Sequence, residues 1–276
     1  MANRITDKQH IKLTYITHFY CNQDNIDSVI SLLRKYEKMP EEVLQVTEFV
    51  IVDDCSPLKY EVPEFRLNLT WLCIDSDIKW NQGGARNLGV TYAKSDKVLI
   101  TELDHELPEK TFRYLINHKN PDRNFYKIYR RNQRGFYKGH SNLFFISRAR
   151  FMRFWGYDEE FSGHYGAEDY RFVKFHKYHG SRQRYLPKAY FCLERNLDRN
   201  DSYHSLIRDL STNTPVDSKK HYEVCTYGYE HGHSRCFLNF TWHIVKSTSI
   251  PAPDFKRDVV WQKLWWLRFL FKALAR

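Results

Sequence analysis

The sequence predicts an α/β fold, a sheet covered by helices, and three observations carry that prediction. Short apolar, β-branched runs alternate with segments of helical period through the first half of the chain. One of them, at 48–52 (Glu-Phe-Val-Ile-Val), is a short apolar run of the kind a strand needs when both its faces are buried. Three of the first four strand ends run into polar or acidic clusters, and an open α/β sheet binds its ligands at such ends.

The elements follow in order. Residues 12–17 (Lys-Leu-Thr-Tyr-Ile-Thr) read as a first strand. From Asp24, Ile26, Val29, Ile30 and Leu33 recur at helical spacing until Pro40. Strands follow at 48–52 and 69–74, a helix at 85–93, and a fourth strand at 97–103 that ends at Asp104. The second half is less regular. It reads as a strand at 143–147, a helix at 148–155, a Gly-rich loop at 156–166 and a helix at 168–179. Residues 197–220 read as polar loop, and the aromatic stretch 222–245 as β-like. Without repeats or a low-complexity linker, one domain spans 1–250 and an amphipathic helix occupies 251–276. In that tail Val259, Val260, Leu264, Leu267, Leu270, Phe271 and Leu274 share one face. Arg268, Lys272 and Arg276 lie opposite with Trp261 and Trp265, a pattern suited to an anionic membrane surface or to packing on the domain or a second subunit.

Composition narrows the partners. Across 276 residues, 43 Lys and Arg face 33 Asp and Glu, a formal charge of +10. With 42% hydrophobic residues the chain can bury a core, which excludes disorder and a disulfide scaffold. Six scattered cysteines read as free thiols of a reducing compartment. The charged start excludes a secretory signal, and no apolar run is long enough to span a bilayer, so the expectation is cytoplasmic. Basic charge with 16% aromatics admits nucleic acid, a membrane surface, or a phosphorylated or sugar ligand.

Four motifs carry chemistry. Asp53 and Asp54 end the second strand, where a carboxylate can take a nucleobase N–H or ribose hydroxyl, or simply build an Asx turn. Gly83-Gly84-Ala85-Arg86-Asn87 opens a helix, letting backbone N–H groups and a cation approach a phosphate. Asp104 and Glu106 stand two apart on an extended segment, so both can hold Mn²⁺ or Mg²⁺. Glu168 and Asp169 follow a Gly-rich loop at a helix start, where the dipole favours an ionised carboxylate competent as a general base. Cys225, His231, His233 and Cys236 fit no standard zinc spacing. Trp80 and Trp155 read as buried, or as platforms for a base or sugar.

Taken together in this order, the motifs resemble GT-A fold nucleotide-sugar glycosyltransferases. The likeness is to family-two enzymes, β-galactosyltransferases and chondroitin polymerases, from about Leu13 to about Asp209. The resemblance implies a mixed sheet flanked by helices and an inverting, metal-dependent transfer from a nucleotide-diphosphate sugar, UDP-linked, to a saccharide or lipid-linked saccharide. It assigns the donor to Thr17, Phe19, Asp53, Asp54, Gly84, Arg86, Asn87 and Asp104. It assigns Mn²⁺ or Mg²⁺ to Asp104, Glu106 and His204, and the acceptor to Tyr157, His164, Tyr165 and Gly166. Asp169, with Glu168 beside it, is the implied base. Such an enzyme would serve polysaccharide, lipopolysaccharide or other glycoconjugate synthesis at the cytosolic membrane face. Two rivals stand beside it: a nucleic-acid binder, against which the acidic motifs argue, and a catalytically idle sugar-binding relative.

Overall fold

The computed structural model describes residues 10–22, 24–139, 142–197, 208–253 and 266–274. The expected first half is there: β1 (Leu13–Phe19), α1 (Asp27–Tyr36), the short α2 (Glu41–Leu44), β2 (Thr47–Asp53), β3 (Asn68–Ile74), α3 (Gln82–Tyr92) and β4 (Lys97–Ile100). Strands β3, β2, β1 and β4 lie side by side in parallel. Alternate side chains serve two cores, as a period of two requires when both faces are covered. Tyr15, Phe49, Ile51 and Trp71 face one side with α1, while Ile16, Val50, Val52 and Leu72 face α3 on the other.

Beyond β4 the sheet turns antiparallel. Strand β9 (Phe144–Ser147) inserts between β4 and β6 (Asn124–Lys127), and β10 (Arg182–Tyr185) closes that edge in parallel with β6. The other edge is β12 (Trp242–Thr248), antiparallel to β3. The result is a mixed eight-stranded sheet. Helix α4 (Glu109–Asn117) joins the first core, and α5 (Arg148–Arg153) and α6 (Glu168–Tyr178) the second.

Three departures bear on the site. The fourth strand ends at Ile100, and residues 103–104 form a turn. His105–Glu106 (β5) then enters a second sheet ordered β5, β11 (Phe191–Glu194), β7 (Tyr129–Asn132), β8 (Gly135–Tyr137). Residues 213–227, expected to be loop and then β-like, form helix α7 (Asn213–Tyr227). Only Asn213, Lys220 and Val224 of it are buried, so there is no apolar stripe to reveal a helix. Polar anchors hold it instead. Asn213 Nδ2 donates to the carbonyls of Phe161, His164 and Gly166, and Lys220 pairs with Asp158 and Glu160 at 2.7 and 2.5 Å. Both clamp the 156–166 loop. The β-like reading holds only from Trp242.

None of the six cysteines is in a disulfide. Most of the amphipathic tail lies outside the described residues, apart from a helix at Leu267–Leu274. Among the described residues no helix is long and apolar enough to cross a membrane.

Candidate active site

At the carboxyl end of the parallel strands, one buried arginine organises the acidic residues. Arg86, on the second turn of α3, has a side chain with no solvent exposure. Its Nη1 meets Asp169 Oδ1 at 3.1 Å, and its Nη2 meets both Glu102 Oε1 and Gln82 Oε1 at 3.1 Å. The guanidinium also lies 5.2 Å above the Tyr157 ring. An arginine buried this deeply persists because it is paired and hydrogen-bonded. The expectation that Arg86 meets the donor gives way to a bracing position: residues 83–90 of α3 are all buried under the 156–166 loop and the sheet.

Asn87, also assigned to the donor, pins that loop to the helix. Its Nδ2 donates to Tyr157 O at 2.9 Å and Glu159 Oε1 at 2.8 Å, and its Oδ1 accepts from Tyr157 N–H at 2.8 Å. Gly84 packs where no side chain fits, since a Cβ would stand 2.6 Å from the Phe240 ring. Phe19 is core as well, 5.5 Å from Trp71 and edge-on, because odd-numbered β1 residues face the α1 side. Thr17 is fully buried on the same parity, beside the buried Tyr15. The β1 residue turned toward the site is His18, which sequence reasoning missed. Burial holds its imidazole well below the ordinary value, the Arg86 charge adding to that and Asp104 opposing it.

Asp53 builds its own turn. Ser56 donates its N–H and hydroxyl to Oδ1 at 2.8 and 2.6 Å, and Tyr60 its hydroxyl to Oδ2 at 2.5 Å. Burial raises its pKa despite those bonds. Asp54 is 2% exposed and takes a bond from Asn81 Nδ2 at 3.1 Å, at the entry to α3.

The turn after β4 gathers a different acidic set from the expected one. Ligand atoms of Glu102, Asp104 and His105 lie within 4.8 Å of one another. Glu106 does not join them; its carboxylate is turned to Lys35 of α1 at 2.5 Å. The period-two reading required an extended segment, and the turn at 103–104 breaks that period. Two carboxylates and an imidazole suit Mn²⁺ or Mg²⁺; His105 Nδ1 stands 2.8 Å from Asp104 Oδ1, and its Nε2 is buried without a hydrogen-bond partner. His204 lies outside the described residues.

On the acceptor side, the loop ends in two left-handed residues, Gly166 and Ala167, at φ 94° and 75°. They set Glu168 and Asp169 at the first turn of α6. Tyr157 is not at the surface; its ring stacks on Phe172 at 4.2 Å within the second core. His164 is exposed, and Tyr165 lies edge-on to the half-buried Trp80 at 4.9 Å. The Glu168 pKa is pushed up to about 7 by burial, with the Asp169 charge adding to the rise.

That shift has a sign for stability. Between about pH 4.5, the ordinary value for a glutamate, and about pH 7, the folded chain keeps a proton on Glu168 that the unfolded chain has lost. Stability should therefore fall as pH rises through that window, by at most about 1.4 kcal/mol per pH unit. In Glu168→Gln that component should vanish. Denaturant midpoints measured across the window check it, and parallel profiles for the two proteins would refute it.

Known structures place this architecture. The chain is similar to S. aureus TarS residues 1–349 in complex with UDP-GlcNAc, at 16% identity and a TM-score of 0.55, over 78% of this chain and 67% of that one. It is also similar to the UDP complex of that fragment, at 18% identity and a TM-score of 0.50, over 67% of this chain and 60% of that one. At such identities the likeness establishes the fold, which is GT-A. No curated protein sequence matches the chain. The family described as Glycosyl transferase family 2 matches residues 16–180. The chain belongs to that family and is a glycosyltransferase.

Proposed function

We propose that the chain moves a sugar from a nucleotide-diphosphate donor, UDP-linked, to a saccharide hydroxyl with inversion at the anomeric carbon. The observation that carries this reading is the fully buried guanidinium of Arg86, which ties Asp169 at the start of α6 to Glu102 at the acidic turn. A base and a cation-binding group are thereby held at a set separation, which in-line displacement requires. Asp169 takes the proton of the acceptor hydroxyl as its oxygen bonds to the anomeric carbon. The bond from that carbon to the diphosphate oxygen breaks, and the electron pair leaves with the diphosphate. Glu102, Asp104 and His105 would hold Mn²⁺ or Mg²⁺, whose charge offsets that of the leaving diphosphate. In this reading Asp54, just past the carboxyl end of β2, orients the nucleoside. The TarS fragment was solved with UDP-GlcNAc and with UDP, which supports a uridine donor here.

A thermal-shift panel of nucleotide sugars with Mn²⁺ or Mg²⁺ tests the reading, because a bound donor raises the melting temperature. A UDP-sugar should give the largest shift, and a panel without any shift would refute the proposal. Excess chelator or Asp104→Ala should abolish transfer, whereas Glu106→Gln should retain it, since Glu106 is engaged by Lys35. Full transfer in chelator would remove the metal from the mechanism.

The acceptor in this reading is a saccharide or lipid-linked saccharide used in polysaccharide or glycoconjugate synthesis. The 251–276 tail would then dock on anionic lipid at the cytosolic membrane face. Trp266, Leu270 and Leu274 are exposed, at 48%, 49% and 76%. Co-sedimentation with anionic vesicles, comparing the full chain with one ending at Asp254, should show binding by the full chain alone. If both stay in the supernatant at low salt, the tail is no anchor.

A further inference from the structure

At the far end of α6 from Asp169, a cavity of about 420 Å³ opens between α5, the end of α6 and the segment after α7. That volume falls within the about 300–1,000 Å³ typical of small-molecule sites. Asp169 and His179 are ten residues apart along one helix, so the cavity lies about 15 Å from the catalytic centre.

Its wall carries four arginines, Arg123, Arg150, Arg153 and Arg235, and one carboxylate, Glu230. Glu230 stands 3.8 Å from Arg235 and 3.5 Å from His179, so at least three guanidinium charges are not balanced within the wall. Arg150 is the built-in member: Nη2 donates to His179 O at 2.5 Å, Nε donates to Ser181 Oγ at 3.0 Å, and the guanidinium lies 4.6 Å over Phe154. Its pKa is lowered by burial and then by Arg153 and Arg123, with Asp122 opposing them, so the like charges are felt. Helix dipoles favour cations at the ends of α5 and α6, which accounts for Arg150 and Arg153. They do not account for Arg123 and Arg235, which come from outside any helix.

A second observation points to a ring. Trp155 sits at φ 62° and is 45% exposed on the cavity wall. Glycine is the usual occupant of a left-handed position just past a helix, and an indole there gains little from the core. Sugar rings present C–H faces to such an indole, and arginines hold phosphate through paired N–H groups.

We propose that this cavity is a second ligand site that binds a phosphorylated sugar unit, with the phosphate on Arg153, Arg235 and Arg123 and the ring against Trp155. On the transferase reading above, it anchors a phosphate-bearing acceptor about 15 Å from the hydroxyl that reacts. Binding itself does not depend on that reading.

Calorimetric titration of the full chain with glucose 6-phosphate, inorganic phosphate and glucose tests the proposal. Glucose 6-phosphate should bind at least tenfold more tightly than either of the others. Trp155→Gly suits the backbone angle, keeps the fold and should bring glucose 6-phosphate down to the level of inorganic phosphate. The double variant Arg153→Ala/Arg235→Ala should lose both phosphates, while its unchanged circular dichroism shows an intact fold. Asp169→Asn should bind glucose 6-phosphate as the unaltered chain does, so loss of transfer and loss of this site are told apart. Equal affinity for glucose 6-phosphate and inorganic phosphate, unaltered binding in the cavity variants, or binding lost in Asp169→Asn would each overturn it.

Discussion

Replacing Asp169 by asparagine is expected to leave donor binding intact and to lower transfer by roughly 10²–10⁴-fold, the range supplied by a general base. The amide keeps an oxygen that can accept from Arg86 Nη1, so the brace to Glu102 and the start of α6 should persist. What it loses is the capacity to take the acceptor proton. The loss should therefore appear in kcat, with the donor KM little changed. Glu168→Gln is the control. Burial raises the Glu168 pKa and leaves one of its carboxylate oxygens without a hydrogen-bond partner, so this side chain is the one more readily protonated as pH falls. Normal turnover in Asp169→Asn together with a dead Glu168→Gln would reverse the two roles.

Arg86→Met should damage both stability and activity. The methionine approximates the length of the side chain but removes the charge from between Asp169, Glu102 and the nearby Glu168. Breaking a buried pair by removing one partner costs roughly 3–5 kcal/mol, because the remaining charges lose their compensation. The carboxylates left behind should bind protons more readily, which moves the acidic limb of any residual activity to higher pH. Arg86→Lys should fall between the two, since one ammonium cannot span Gln82, Glu102 and Asp169 with fork geometry. Urea denaturation and a pH–rate profile check both effects. An Arg86→Met protein as stable and active as the original would remove the brace from the mechanism.

Much of the fold was legible because apolar patterning is local. The runs at 12–17, 48–52, 69–74 and 97–103 foretold β1 to β4, with ends off by no more than three residues. Helices α1, α3, α5 and α6 lie within the expected segments or overlap them closely. Helix α4 was not read although Phe112, Leu115 and Ile116 mark its buried face; the small strands β5 to β8, β10 and β11 and helix α7 were not read either, and these share a cause. Their side chains are mostly half-exposed or polar, so no hydrophobic period marks them.

The sequence by itself determined the α/β class, the runs that become the first four strands, and the positions of the acidic clusters at 53–54, 102–106 and 168–169. Those properties follow from periodicity and from where polar residues interrupt it. Only the tertiary structure decided which members of each cluster share a space. The turn at 103–104 brings Glu102 and His105 to Asp104 and sends Glu106 to Lys35. Parity along β1 buries Phe19 and turns His18 toward Arg86. Arg86 reaches Asp169, 83 residues away, because α3 packs beneath the loop that α7 clamps from outside. A buried cation takes the partners that desolvation leaves within reach, and those are set by how the elements pack, not by spacing along the chain.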